Sequence, residues 1–201
     1  SGYADFEIAK ETKRFEAIAT EFYIWLRERQ AEGFDVWAIE SEAEHYIKEL
    51  DFTLSGKADL IERRPEGYGV IDYKTGAPPS VKVVKAGFDP QLPLSAWLLA
   101  QGGFKEVKKG QTVQLGYVRI KGSNNDFSHQ VLTSPEQKNG LSAEEYAQEA
   151  IDVLDKLVRA YDDPKTAYYS QPRIQYTHDY GDYDDLARRG EWASLGGEGE
   201  R

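Results

Sequence analysis

Two runs of alternating apolar residues, 52–63 and 68–75, flank the four-residue break Arg64-Pro65-Glu66-Gly67, which restricts the middle of the chain to a β-hairpin. Gly76-Ala77-Pro78-Pro79-Ser80 then interrupts any regular element, and 81–86 reads as a short helical piece. Asp89-Pro90 reads as an N-cap followed by proline at the first helical position. The helix so opened runs to about Gln101 and stops at Gly102-Gly103. Leu94 and Leu98, three and seven residues after Gln91, would pack this helix onto the sheet.

The rest of the chain supplies further elements around this centre. Over 6–31 the residues Phe6, Ile8, Phe15, Ile18, Ala19, Phe22, Tyr23 and Leu26 recur mostly at helical spacing among Lys, Glu and Arg, predicting one amphipathic helix that ends near Gly33. Residues 35–47, with Val36, Ala38 and Ile47 among glutamates, predict a strand on which Glu40, Glu42 and Glu44 alternate along one face. Residues 112–120 and 126–133 predict a second hairpin around Lys121-Gly122-Ser123-Asn124-Asn125. Ser142-Ala143-Glu144-Glu145 resembles a helix start, and Tyr146, Ala150, Leu154, Leu157, Val158 and Tyr161 mark the helix that follows.

At 201 residues the chain suits a single domain. The expectation is one domain over 1–192, of which 164–192 is an extended Tyr-rich tail, and a disordered terminus at 193–201. Tyr168, Tyr169, Tyr176, Tyr180 and Tyr183 either pack that tail against the body or form a stacking surface for single-stranded bases. With no cysteine in the chain, disulfides, thiolate zinc sites, cysteine-ligated iron–sulfur clusters and a cysteine nucleophile are all excluded. No stretch approaches the roughly 20 apolar residues of a membrane span, so a soluble, cytoplasmic protein is expected. The chain also lacks methionine, which leads to the expectation of a piece excised from a longer polypeptide.

The net charge of -10 opposes a phosphate-rich partner, but the charge is unevenly spread. Between residues 79 and 125, Lys82, Lys85, Lys105, Lys108, Lys109, Arg119 and Lys121 face only Asp89 and Glu106, a local excess of +5 against -15 for the remainder. An acidic body with one basic segment fits a domain that receives its strand from a larger partner.

The chemistry concentrates in the central stretch. Asp72 and Lys74 project from one face of their strand beside Val70, while Ile71 and Tyr73 project from the other. The hairpin turn can bring Asp59 of the preceding strand to the same surface. Two carboxylates with a backbone carbonyl and waters suit Mg²⁺ or Mn²⁺, which are hard, octahedral and oxygen-seeking. Such an ion lowers the pKa of bound water and neutralises charge on an attacked phosphate. Lys74 can orient that water or stabilise the added charge, and Gln91 in the first turn of the next helix can position water or a phosphate oxygen. His45, His129 and His178 are scattered without paired metal spacing, and no glycine pattern suits a phosphate-cradling loop.

Gly56-Lys57-Ala58-Asp59, Ile71-Asp72-Tyr73-Lys74-Thr75-Gly76 and Pro90-Gln91-Leu92-Pro93-Leu94 resemble the motifs of the PD-(D/E)XK superfamily in its RecB-like branch. More narrowly, the chain resembles the C-terminal nuclease domain of the AddB subunit of bacterial AddAB helicase–nucleases, including the tail Asp182-Tyr183-Asp184-Asp185-Leu186-Ala187-Arg188 with Glu191-Trp192. The resemblance implies an α/β, restriction-endonuclease-like core with a central mixed β-sheet flanked by helices. It further implies Mg²⁺-dependent cleavage of single-stranded DNA while an AddA-like partner unwinds the duplex, in double-strand break processing for recombinational repair. Asp59, Asp72 and the backbone carbonyl of Tyr73 would ligate the metal, with Lys74 and Gln91 completing the catalytic set. Ser95 stands where many relatives carry Tyr, and Glu16 or Glu21 would stand in for an upstream His or Glu ligand. The alternatives are a catalytically inactive nuclease-fold scaffold or DNA-guiding module, and a stand-alone RecB-like or Cas4-like exonuclease.

Overall fold

A computed structural model of the chain describes residues 2–121, 126–134, 136 and 140–167. Contacts divide the chain into two compact units, 1–160 and 161–201, and the helices and strands belong to the first except for Tyr161 and Asp162 at the end of the final helix. The tyrosines at 168, 169, 176, 180 and 183, the remainder of the expected tail, and the 122–125 turn lie outside the described residues.

The order is α1 (Gly2–Ala31), β1 (Asp35–Ile47), β2 (Phe52–Arg64), β3 (Gly67–Lys74), α2 (Val81–Lys85), α3 (Gln91–Gln101), β4 (Thr112–Lys121), β5 (Asp126–Thr133) and α4 (Ala143–Asp162). The strands form one sheet in the order β1-β2-β3-β4-β5. Neighbours pair antiparallel except β3 and β4, which run parallel with Asp72 opposite Tyr117 and Lys74 opposite Arg119. Strands lying parallel side by side need a crossover, and α2 with α3 supplies it. The mixed sheet with flanking helices is the α/β architecture expected.

Strand alternation gives the sheet two apolar faces. On one, Ile61, Val70, Leu115 and Tyr117 meet Leu92, Ala96, Leu98 and Leu99 of α3 and Ala143, Tyr146 and Ala147 of α4. On the other, Leu60, Ile71 and Val118 meet Trp25 of α1, with Phe22, Leu26, Tyr73 and Phe127 half-buried around them. Val70 and Ile71 thus fall on opposite faces as the alternation requires. Among the described residues no helix is long and apolar enough to cross a membrane.

The two long helices form as expected but bury only part of their apolar period, and the start of α3 is corrected. Only the C-terminal half of α1 meets the sheet, and Phe6, Ile8, Phe15 and Tyr23 stay exposed. Likewise α4 buries Tyr146, Ala147 and Ala150 but leaves Leu157 and Tyr161 exposed. At the start of α3 the cap position belongs to Pro90, which makes no side-chain cap hydrogen bond, and the Asp89 carboxylate accepts from Tyr117 instead. Leu98 packs in the core as expected, joined by Leu92, Ala96 and Leu99, whereas Leu94 is only half-buried. The Ser142 and Glu145 pair does close as a reciprocal cap: Glu145 N–H donates to Ser142 Oγ at 3.2 Å and Ser142 N–H to Glu145 Oε2 at 2.7 Å.

The β1–β2 hairpin carries an irregularity that matters for the site. Ala38 and Ala43 are five residues apart, and Ala58 and Ile61 three apart, yet all four line one core. Odd spacings put side chains on opposite faces of a regular strand, so the pleat reverses between them. Glu40 adopts a left-handed conformation with φ 53°, which interrupts the pleat on β1, and its carboxylate pairs with Lys57 of β2. The reversal falls between the Ile39↔Leu60 and Ser41↔Ala58 pairs, at the level of Asp59.

Candidate active site

Asp59 lies where β2 parts from β3. The β2–β3 ladder ends at the Leu60↔Ile71 pair, so the Tyr73 N–H beyond it has no strand partner on that side. Asp59 takes this donor: Tyr73 N–H donates to Asp59 Oδ2 at 2.8 Å. Charge-assisted bonds of this kind hold a carboxylate in one orientation. The hairpin does bring Asp59 beside the Asp72 strand, and the bond fixes how it approaches.

Asp72 is buried at 3% exposure on the face that carries Val70. Lys74 Nζ stands 2.9 Å from Asp72 Oδ2. The ammonium is the charged partner of this buried oxygen, to which no backbone N–H donates. The same Nζ donates to Gln91 Oε1 at 3.2 Å, and it lies 5.8 Å from the centre of the Tyr117 ring. Lys74 therefore joins β3 to the first residue of α3. Of the expected site residues, the structure brings Asp72, Lys74 and Gln91 into one chain of contacts and ties Asp59 to the backbone between Asp72 and Lys74.

The electrostatics are those of a site short of positive charge. Burial pushes the Asp72 carboxyl above the usual carboxylate range; Lys74 opposes this, while Asp59 and Asp89 add to it. Burial, with Glu62 and Asp59 behind it, pushes the Tyr73 phenol up to about 12. The Tyr117 phenol is also pushed up, by burial first and then by Asp89 and Asp72, so both remain protonated donors at neutral pH.

These residues fit a hard divalent cation. A buried carboxylate flanked by a single ammonium, next to a second carboxylate oriented by a backbone bond, is a donor set that suits oxygen-seeking ions. Among the described residues no group of three His, Asp or Glu side chains is arranged to hold a metal. Mg²⁺ usually keeps several waters and takes only one or two carboxylates from the protein. Glu16 and Glu21 are exposed on α1, the helix that covers the opposite face from Asp72.

The seven basic residues do not form one surface. Lys82 and Lys85 lie on α2 just after β3, and Arg119 sits in register with Lys74, with Lys121 ending the same strand. Lys105 pairs with Glu42 of β1 at 2.8 Å. Lys108 and Lys109 lead into the start of β4, at the end of that strand away from Arg119. Sequence reasoning gave no site role to Asp89 or Tyr117; Asp89 was legible only as a helix cap, and Tyr117 as one more aromatic residue in a strand.

The family model of the PD-(D/E)XK nuclease superfamily matches residues 3–171. The chain belongs to this superfamily, whose members are typically nucleases and generally use divalent metals such as Mg²⁺. No curated protein matches the chain. Among matching solved structures is one described as the crystal structure of SSO0001, at 16% sequence identity and TM-score 0.32, covering 68% of this chain and 57% of that one. The chain thus spans a little over half of that protein's length.

Proposed function

We propose that this chain is a divalent-metal-dependent deoxyribonuclease that cleaves single-stranded DNA, as the C-terminal nuclease domain of an AddB-like subunit. The observation that carries this reading is the contact chain Asp72–Lys74–Gln91 at the end of β3, with Asp59 held to Tyr73 N–H beside it. A Mg²⁺ ion held by Asp59, Asp72 and the Tyr73 carbonyl would supply an activated water and charge neutralisation on the phosphate. Lys74, with Gln91 accepting one of its protons, holds a positive charge where negative charge gathers in phosphodiester cleavage. Gln91 limits the freedom of that ammonium. Lys82, Lys85 and Arg119 would guide the strand to this end of the sheet, while Lys108 and Lys109 would meet only a longer path.

The wider setting follows from the motif resemblance: a bacterial cytoplasmic complex with an AddA-like helicase–nuclease, in which unwinding delivers the strand during double-strand break processing. The acidic net charge of -10 supports delivery by a partner over capture from solution. The test is Mg²⁺-dependent degradation of labelled single-stranded DNA by the protein and its Asp72→Ala and Lys74→Ala variants, repeated with the helicase partner. Cleavage that both folded variants lose supports the assignment. If neither the wild-type chain nor its complex with the partner cuts, the reading gives way to a scaffold or DNA-guiding module.

A further inference from the structure

Tyr117 is fully buried on β4, in register with Asp72, and its ring lies beneath the Lys74 ammonium. Burying a tyrosine whole requires a partner for its hydroxyl. That partner is Asp89: Tyr117 OH donates to Asp89 Oδ1 at 3.3 Å. Asp89 immediately precedes Pro90, the cap residue of α3, and Gln91 follows as the first helical residue. Pro90 has no N–H and makes no side-chain cap bond, so its tie to the helix's own first turn is its carbonyl, which accepts from Leu94 N–H at 2.8 Å. A second tether comes from the sheet. The Tyr117 hydrogen bond adds to the packing of Leu92, Leu98 and Leu99 in holding the start of α3, where Gln91 meets Lys74, and it orients a third carboxylate within electrostatic reach of buried Asp72.

We infer that Tyr117 and Asp89 form a positioning pair for the metal site, in which Asp89, oriented by the Tyr117 hydroxyl, strengthens divalent-cation binding at Asp59 and Asp72 without ligating the ion. The inference rests on the nuclease reading above. A half-buried carboxylate adds negative potential at the cation's position and anchors α3 over it. Outer partners of this kind typically change metal affinity by about 10- to 100-fold when removed.

The test is calorimetric titration of the full chain with Mn²⁺, for wild type, Asp89→Asn, Tyr117→Phe, the double variant and Asp72→Asn, with the thermal midpoint of each metal-free form recorded alongside. Asn at 89 still accepts from Tyr117, so Asp89→Asn removes charge and keeps the tether. The expected result is Mn²⁺ binding about tenfold weaker in Asp89→Asn at an unchanged metal-free midpoint. Tyr117→Phe should weaken binding in the same direction, and the double variant by less than the product of the two. Wild-type affinity in Asp89→Asn, with Asp72→Asn abolishing binding, overturns the pair and leaves the nuclease reading standing. No Mn²⁺ binding by the wild type overturns both. Should Tyr117→Phe not fold, Asp89→Asn decides the matter alone.

Discussion

Arg29 and Glu62, thirty-three residues apart, form an ion pair buried between α1 and β2, with Arg29 Nε donating to Glu62 Oε1 at 3.2 Å and a second bond from Nη2 to Oε2. The guanidinium lies 3.6 Å from the centre of the Phe34 ring, and Gly69 leaves the space that the Glu62 carboxylate occupies. Removing one partner strands a charge in the core. Glu62→Ala should cost about 3–5 kcal/mol in urea-induced unfolding, and the paired change Arg29→Met with Glu62→Leu far less. Equal losses in the single and paired variants would show that the ion pair is not what α1 depends on.

Lys74 touches both Asp72 and Gln91, so its removal should act on chemistry and on the stability of the site together. Lys74→Met should lower Mg²⁺-dependent cleavage by about 100- to 1,000-fold, the range for deleting one preorganised charge-stabilising group. The metal-free protein should also lose stability at neutral pH, because the buried Asp72 carboxylate is left without its charged partner. Gln91→Ala leaves the ammonium in place but loosens it, and its loss in rate should be the smaller of the two. Steady-state kinetics on labelled single strands check both.

Asp72 should make the metal-free protein lose stability as pH rises. Its folded-state pKa lies above the ordinary 3.8, chiefly through burial, so the folded form binds the proton more tightly than the unfolded chain. Stability therefore falls as pH climbs from about 3.8 through the raised value. In a chelator, Asp72→Asn should melt higher than the wild type at pH 7, and this advantage should vanish below the unfolded pKa. Adding Mg²⁺ should stabilise the wild type and not the variant. Thermal melts across pH, with and without Mg²⁺, read both effects.

Gly67, the first residue of β3, has φ +155°, and a Cβ there would clash with the carbonyl oxygen of Gln111 and lie 2.9 Å from Val113 Cγ1. Neither neighbour is a flexible side-chain end that can yield. Tyr68 N–H donates to the same carbonyl at 2.9 Å, so relieving the clash would pull the start of β3 away from the segment that leads into β4. Gly67→Ala should cost at least about 1–3 kcal/mol, measurable by urea titration. A neutral effect would mean that the turn shifts freely.

The elements themselves were legible in the chain because each has a local cause. Alternation marks β2 and β3, the helical period marks α1 and α4, Gly102-Gly103 stops α3, and the Ser142 and Glu145 pair caps α4. The motif residues Asp59, Asp72, Lys74 and Gln91 were legible too, since their order along the chain carries the resemblance. The extent of the helical contacts was not. Phe6, Ile8 and Phe15 keep the helical period but lie beyond the part of α1 that meets the sheet, and periodicity cannot tell a covered face from an uncovered one.

What the amino-acid sequence determined by itself was the list of elements, the superfamily and the order of the candidate catalytic side chains, all of which follow from neighbours in the chain. What only the tertiary structure decided was how distant backbones meet. The parallel pairing of β3 with β4 sets Tyr117 beside Asp72, the left-handed Glu40 reverses the pleat at the level of Asp59, and the Tyr117 hydroxyl takes Asp89 away from helix capping. None of these has a local signal. A glutamate in a strand gives no warning of positive φ, and a hydrogen bond across twenty-eight residues forms only after the sheet has closed around it.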